Sequence, residues 1–91
     1  MFTLTEAAGI RLAQKLAKKS AGEDVALRFV RQRKQRCWAL RLDKPCPSDA
    51  TFSHAGRIVL MLDEQSSHRL RNRMLDIRDT DEGPRLRLRG R

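Results

Sequence analysis

Five large apolar residues in a row, Ile58-Val59-Leu60-Met61-Leu62, follow Gly56-Arg57 and stop at Asp63, and no other run in the chain is as long. Ile58 and Val59 are β-branched, which suits a pleated, crowded surface better than a helix. A run this short, with a glycine before it and a charge after it, predicts a strand buried on both faces. Such a strand needs a layer above and a layer below, so the remaining elements are expected to pack around it.

The chain has 91 residues, enough for one domain with a modest core. Twenty basic residues stand against eleven acidic ones, a net charge of +9, and fifteen of the twenty are arginine. That excess attracts polyanions and improves solubility, so nucleic acid, an acidic protein and an anionic surface are all compatible with it. An apolar run of five excludes a membrane-spanning helix, which needs about 20 residues. Met1 to Leu4 lacks the basic start and apolar stretch of a signal peptide, and the expectation is a cytoplasmic protein with no membrane contact. Cys37 and Cys46 lie nine positions apart with no Cys-x-x-Cys, which in a reducing compartment means free thiols.

The order of the other elements follows from periodicity. Phe2-Thr3-Leu4 reads as a short edge strand, and Thr5 as the cap of a helix beginning at Glu6. Ala8, Leu12 and Leu16 share one helical face, with Arg11, Lys15, Lys18 and Lys19 on the solvent side or at the carboxyl end. Val25, Leu27 and Phe29 alternate with small or charged residues, as do Trp38, Leu40 and Leu42, which predicts a hairpin closed by the basic loop Arg31 to Arg36. Lys44-Pro45-Cys46-Pro47-Ser48 is a connection, because prolines deny a ladder its donors. Thr51-Phe52-Ser53 forms a short strand before a turn at Ala55-Gly56. Asp63 caps a second helix ending near Leu70, and Asn72 suits the left-handed position beyond it. Leu75 and Ile77, then Leu86 and Leu88, mark two last strands separated by turn chemistry from Asp79 to Pro84. The fold class is α+β: small mixed β-sheets with one longer N-terminal helix and one short second helix, in a single domain over residues 1–91.

These residues resemble the HesB/IscA-like family of iron–sulfur cluster assembly proteins, the A-type carriers. The markers are Leu4-Thr5-Glu6-Ala7-Ala8, Ala26-Leu27-Arg28, Asp43-Lys44-Pro45-x-Pro47-x-Asp49, Gly56 with its apolar strand, Asp63-x-x-Ser66-x-x-x-Leu70, and Leu75-Asp76. The resemblance implies a fold of small sheets with two helices, and often a dimer or tetramer. It also implies three cysteines, one after the hairpin turn in a Gly-Cys-Ser-Gly setting and two in a Cys-Gly-Cys near the carboxyl end. Cys37 falls close to the first position, in the setting Arg36-Cys37-Trp38-Ala39, and no Cys-Gly-Cys occurs in the 91 residues. The expectation is a cluster-ligand site that is largely lost, with Cys37 the remaining metal candidate and no cofactor expected unless Cys37 is completed by an oligomer.

Other chemistry has little support. No Gly-x-Ser-x-Gly, phosphate loop or dinucleotide fingerprint occurs, and the carboxylates fall at predicted caps and turns, so an enzyme is not expected. His54 and His68 have no second ligand at metal spacing. Cys37 also reads as a small residue on a sheet face. The arginines are the strongest positive signal. Arg31, Arg33, Lys34 and Arg36 share the hairpin loop, and Arg85, Arg87 and Arg89 share one face of the last strand. Both groups are candidates for a polyanion or for an acidic partner of iron–sulfur or sulfur metabolism. The expected function is a non-enzymatic accessory acting through protein contacts. A basic nucleic-acid-binding module on the same fold is the alternative.

Overall fold

The computed structural model describes residues 2–19, 22, 24–32 and 37–90. The elements run β1 (Thr3–Leu4), α1 (Glu6–Lys18), β2 (Ala26–Gln32), β3 (Cys37–Asp43), β4 (Ala50–His54), β5 (Arg57–Leu62), α2 (Glu64–Arg69), β6 (Arg73–Thr80) and β7 (Gly83–Gly90). The strands form two sheets of mixed direction, β1-β6-β7 and β3-β2-β5-β4. The architecture is α+β, as periodicity predicted.

The apolar run is the inner strand β5, flanked by β2 and β4, and Val59, Leu60, Met61 and Leu62 have no exposed surface. Helix α1 packs against β6 of one sheet and against β2, β4 and β5 of the other, so its apolar face joins the two sheets. Ala8, Leu12 and Leu16 enter one core with Leu27, Phe29, Leu60, Leu62, Leu70 and Leu75. Two aromatic pairs close its margins: Phe2 meets Phe52 edge to face at 5.3 Å, and Phe29 meets Trp38 at 5.2 Å.

Caps and turns fall where their residue types predict. The Thr5 hydroxyl accepts from the Ala8 amide, and the Asp63 carboxylate accepts from the amide of buried Ser66 at 2.7 Å. Asn72 takes φ 66 just beyond α2. The β4–β5 turn places both Ala55 and Gly56 at positive φ, 52 and 79, as a tight hairpin twisted to match its strands requires. Gly56→Ala should therefore cost about 1 kcal/mol through backbone strain alone, since nothing lies within contact distance of an added methyl. A urea midpoint unchanged by this substitution would contradict that account.

Two boundaries differ from expectation. Arg31 and Gln32 are paired residues of β2, opposite Trp38 and Cys37, rather than loop. Asp79 and Pro84 are paired too, so the turn shrinks to Asp81 and Glu82. Proline is tolerated there because β7 is an edge strand, and the Thr80 hydroxyl closes the turn by donating to the Gly83 carbonyl at 2.7 Å. Among the described residues no helix is long and apolar enough to cross a membrane.

Candidate functional site

The sequence markers meet in pairs. Arg28 on β2 reaches across the end of β3 into the proline-containing connection. Its Nε donates to Asp43 at 2.9 Å, and its two terminal nitrogens donate to both oxygens of Asp49 at 2.9 and 2.7 Å. The same guanidinium also donates to the Lys44 carbonyl at 3.2 Å. Asp49, whose side chain is 2% exposed, accepts further from the Cys46 amide at 2.8 Å. The forked bond from Arg28 holds the Asp49 carboxyl below its ordinary range against the opposing effect of burial, with a smaller contribution from the Cys46 amide. Arg28 is held correspondingly more basic, first by Asp49.

Thr5 and Asp76 form the second pair. The Thr5 hydroxyl, while capping α1, donates to Asp76 Oδ1 at 2.9 Å, and the Thr5 amide donates to the Leu75 carbonyl at 3.1 Å. The Ile77 amide, then Thr5 and Arg89, lower the Asp76 pKa. Asp63 with Ser66 makes the third pair. Each acts within the fold. Arg28 pins a loop, Thr5 ties the helix start to β6, and Asp63 caps α2.

The cysteines do not converge. Cys37 opens β3 opposite Gln32 at the hairpin end, whereas Cys46 follows the other end of that strand. The strand between them is roughly 20 Å long at 3.3 Å per residue. Cys46 is an exposed free thiol, with its Sγ 3.8 Å from the Arg28 guanidinium. Sulfurs sharing one iron lie within about 4 Å of each other, given metal–sulfur bonds near 2.3 Å. The backbone positions of Cys37 and Cys46 in one copy are therefore too far apart for both residues to bind one iron. Among the described residues no group of three or more His, Cys, Asp or Glu side chains is arranged to hold a metal ion. His54 sits instead against α1, where a methyl on Gly9 would come within 3.3 Å of its ring.

The arginine groups separate. Arg85, Arg87 and Arg89 are exposed, and the β6–β7 register places them on one face with Arg78, Asp76 and Met74. Leu75, Ile77, Leu86 and Leu88 take the opposite, core face. Asp76 is the acid among these outward positions on the two strands, and it is engaged by Arg89 at 3.2 Å. Arg85 pairs with Glu82 of the turn. Arg78 and Arg87 have no ion pair among the described residues, which leaves a flat surface with unbalanced positive charge. Arg31 belongs to the other sheet, and Arg33, Lys34 and Arg36 lie outside the described residues. Arg78 escaped the sequence reading because its membership of this face depends on the strand register. A second grouping was also missed: Arg11 and Lys15 of α1 line a cleft with Arg85.

Comparison with known proteins bears on the fold. No family model matches the sequence, and no curated protein matches it. Among solved structures, Escherichia coli SufA, involved in biosynthesis of iron–sulfur clusters, is similar with a TM-score of 0.70 and 22% identity, over 98% of this chain and 84% of that one. IscA, in a crystal structure with a 2Fe–2S cluster, is similar with a TM-score of 0.62 and 19% identity, over 99% of this chain and 85% of that one. The chain has the HesB/IscA-like fold that its markers implied.

Proposed function

We propose that this chain is a non-enzymatic accessory of iron–sulfur cluster biogenesis or sulfur metabolism. It works through protein contacts, and the arginine face of β6 and β7 docks an acidic surface of its partner. The observation that carries this reading is the pairing of a SufA-like fold over 98% of the chain with cysteine backbone positions toward opposite ends of β3. The sequence markers Arg28, Asp49, Thr5, Asp76 and Asp63 build loops and caps. The surface feature left over for function is the outward arginine face, where Arg78 and Arg87 lack intramolecular partners among the described residues. Guanidinium groups pair two-pronged with carboxylates and phosphates alike, but the outward positions of β6 and β7 carry no aromatic side chain to stack on bases, which favours an acidic protein surface.

The test is capture of partners from native lysate by the tagged full chain, with and without nuclease. Retention of cluster-assembly or sulfur-transfer proteins regardless of nuclease, abolished by Arg78→Glu with Arg87→Glu, is the expected result. Retention that disappears with nuclease would replace this reading with nucleic-acid binding. A second prediction separates the accessory from a carrier for which a cluster is cargo. Cys37→Ser should leave iron and sulfide uptake unchanged after anaerobic reconstitution. Loss of uptake would show that Cys37, completed by a second copy, still holds metal.

A further inference from the structure

The cleft between α1, β3 and the β6–β7 turn is lined by Arg11, Lys15, Leu40, Glu82, Arg85 and Leu86, with Pro84 at its edge, and has a volume of about 340 Å³. Three cations face one acid. Glu82 is already paired with Arg85, so the cleft keeps an excess of two positive charges. Arg11 Nε is buried and has no hydrogen-bond partner among the described residues, although a guanidinium donor removed from water requires one. Lys15 is pushed below its ordinary lysine range, first by burial and then by Arg11, Lys19, Lys18 and Arg85, so cations crowd it from its own helix and from β7. Leu40 and Leu86 supply apolar walls, which strengthen the field of the charges between them.

From three cations converging on one cleft with a single acid, two of them half-buried, we propose that this cleft binds a small multivalent oxyanion, a phosphate ester or polycarboxylate, between Arg11, Lys15 and Arg85. The site adjoins the arginine face, shares Arg85 with it, and is distinguished from it by Arg11 and Lys15 of α1. Arg11 and Lys15 are half-buried, whereas Arg78 and Arg87 are exposed. A macromolecular surface reaches the second pair and not the first, whereas a small anion can enter the cleft and offset its excess charge.

Calorimetric titration of the full chain tests this, with pyrophosphate as one probe and citrate as the other at low salt. Saturable binding of one anion per chain is expected for at least one probe, and their ratio identifies phosphate or carboxylate chemistry. Arg11→Gln and Lys15→Gln should each weaken it by about tenfold or more, as loss of a charge-assisted bond does, while Arg69→Gln, at an exposed cation of α2 outside the cleft, changes it by less than about twofold. If Arg11→Gln fails to fold, Lys15→Gln alone decides, because Lys15 is half-exposed and Gln keeps part of its stem and its helix propensity. No saturable heat with either probe would overturn the proposal. So would an Arg69→Gln loss equal to that of Lys15→Gln, since the attraction would then be the general charge of the chain.

Discussion

Arg28→Ala is expected to lower the stability of this chain by about 3 kcal/mol, because it leaves the Asp49 carboxylate buried without its partner. The Arg28 side chain is 11% exposed and that of Asp49 is 2% exposed, so water cannot replace the lost bonds. The bond to Asp43 adds little, since Asp43 is more than half exposed. Arg28→Lys should recover only part of the loss, because an ammonium cannot match both oxygens of Asp49 while reaching Asp43. Urea unfolding of the two variants checks the ranking. An Arg28→Ala cost below about 1 kcal/mol would mean that the pair is solvated in solution.

The same pair predicts a pH response. Asp49 has a folded pKa depressed below its unfolded value of about 3.9, so its contribution is complete above that pH and is lost as pH falls through the folded value. Asp43 and Asp76 shift in the same direction, so the acid sensitivity of the wild-type chain reflects all three. The difference between wild type and Asp49→Asn isolates one of them. It should be constant near neutrality and shrink below about pH 4, and a difference growing toward acid would reverse the assigned sign.

Leu60→Ala is the other large effect. Leu60 has no exposed surface, sits on the strand between β2 and β4, and belongs to the cluster that joins both sheets through α1. Removing its side chain loses the transfer energy of the buried carbons and leaves a cavity that three neighbouring layers cannot collapse, for about 3–4 kcal/mol. For a domain of this size that corresponds to a fall in Tm of roughly 15 °C or more. The same truncation at Leu42, which is 44% exposed at the end of β3, should cost less than about 1 kcal/mol. Equal losses at the two sites would show that the core is not centred on β5.

How far each feature could be read from the sequence depends on the range of the interaction that sets it. The helix start at Thr5, the stop after Asp63, the left-handed Asn72 and the alternation in β2 and β3 arise within a few residues, and their residue types announce them. The last turn is shorter than its residue types predict, because Asp79 and Pro84 are turn formers only locally. Their pairing across β6 and β7 comes from the register of a ribbon whose apolar face is anchored by Leu75, Ile77, Leu86 and Leu88. The candidate site was legible only in part. Arg85, Arg87 and Arg89 share a face because a strand alternates, whereas Arg78 joins them only through register. Arg11 and Lys15, read as the solvent side of a helix, prove to line a cleft because another sheet lies alongside.

The sequence by itself determined that an apolar strand would be enclosed, that an amphipathic helix would cover it, and that the chain would be strongly basic. Those properties follow from composition and short-range periodicity. Tertiary structure alone decided what the polar markers do and where the charges meet. Arg28 finds Asp49 across 21 positions, Thr5 finds Asp76 across 71, and Arg85 is brought to Lys15 from the far end of the chain. The two cysteines, only nine positions apart, are held at opposite ends of a strand. Electrostatic and hydrogen-bonding partners are set by distance in space, and sequence separation predicts that distance only within a single element.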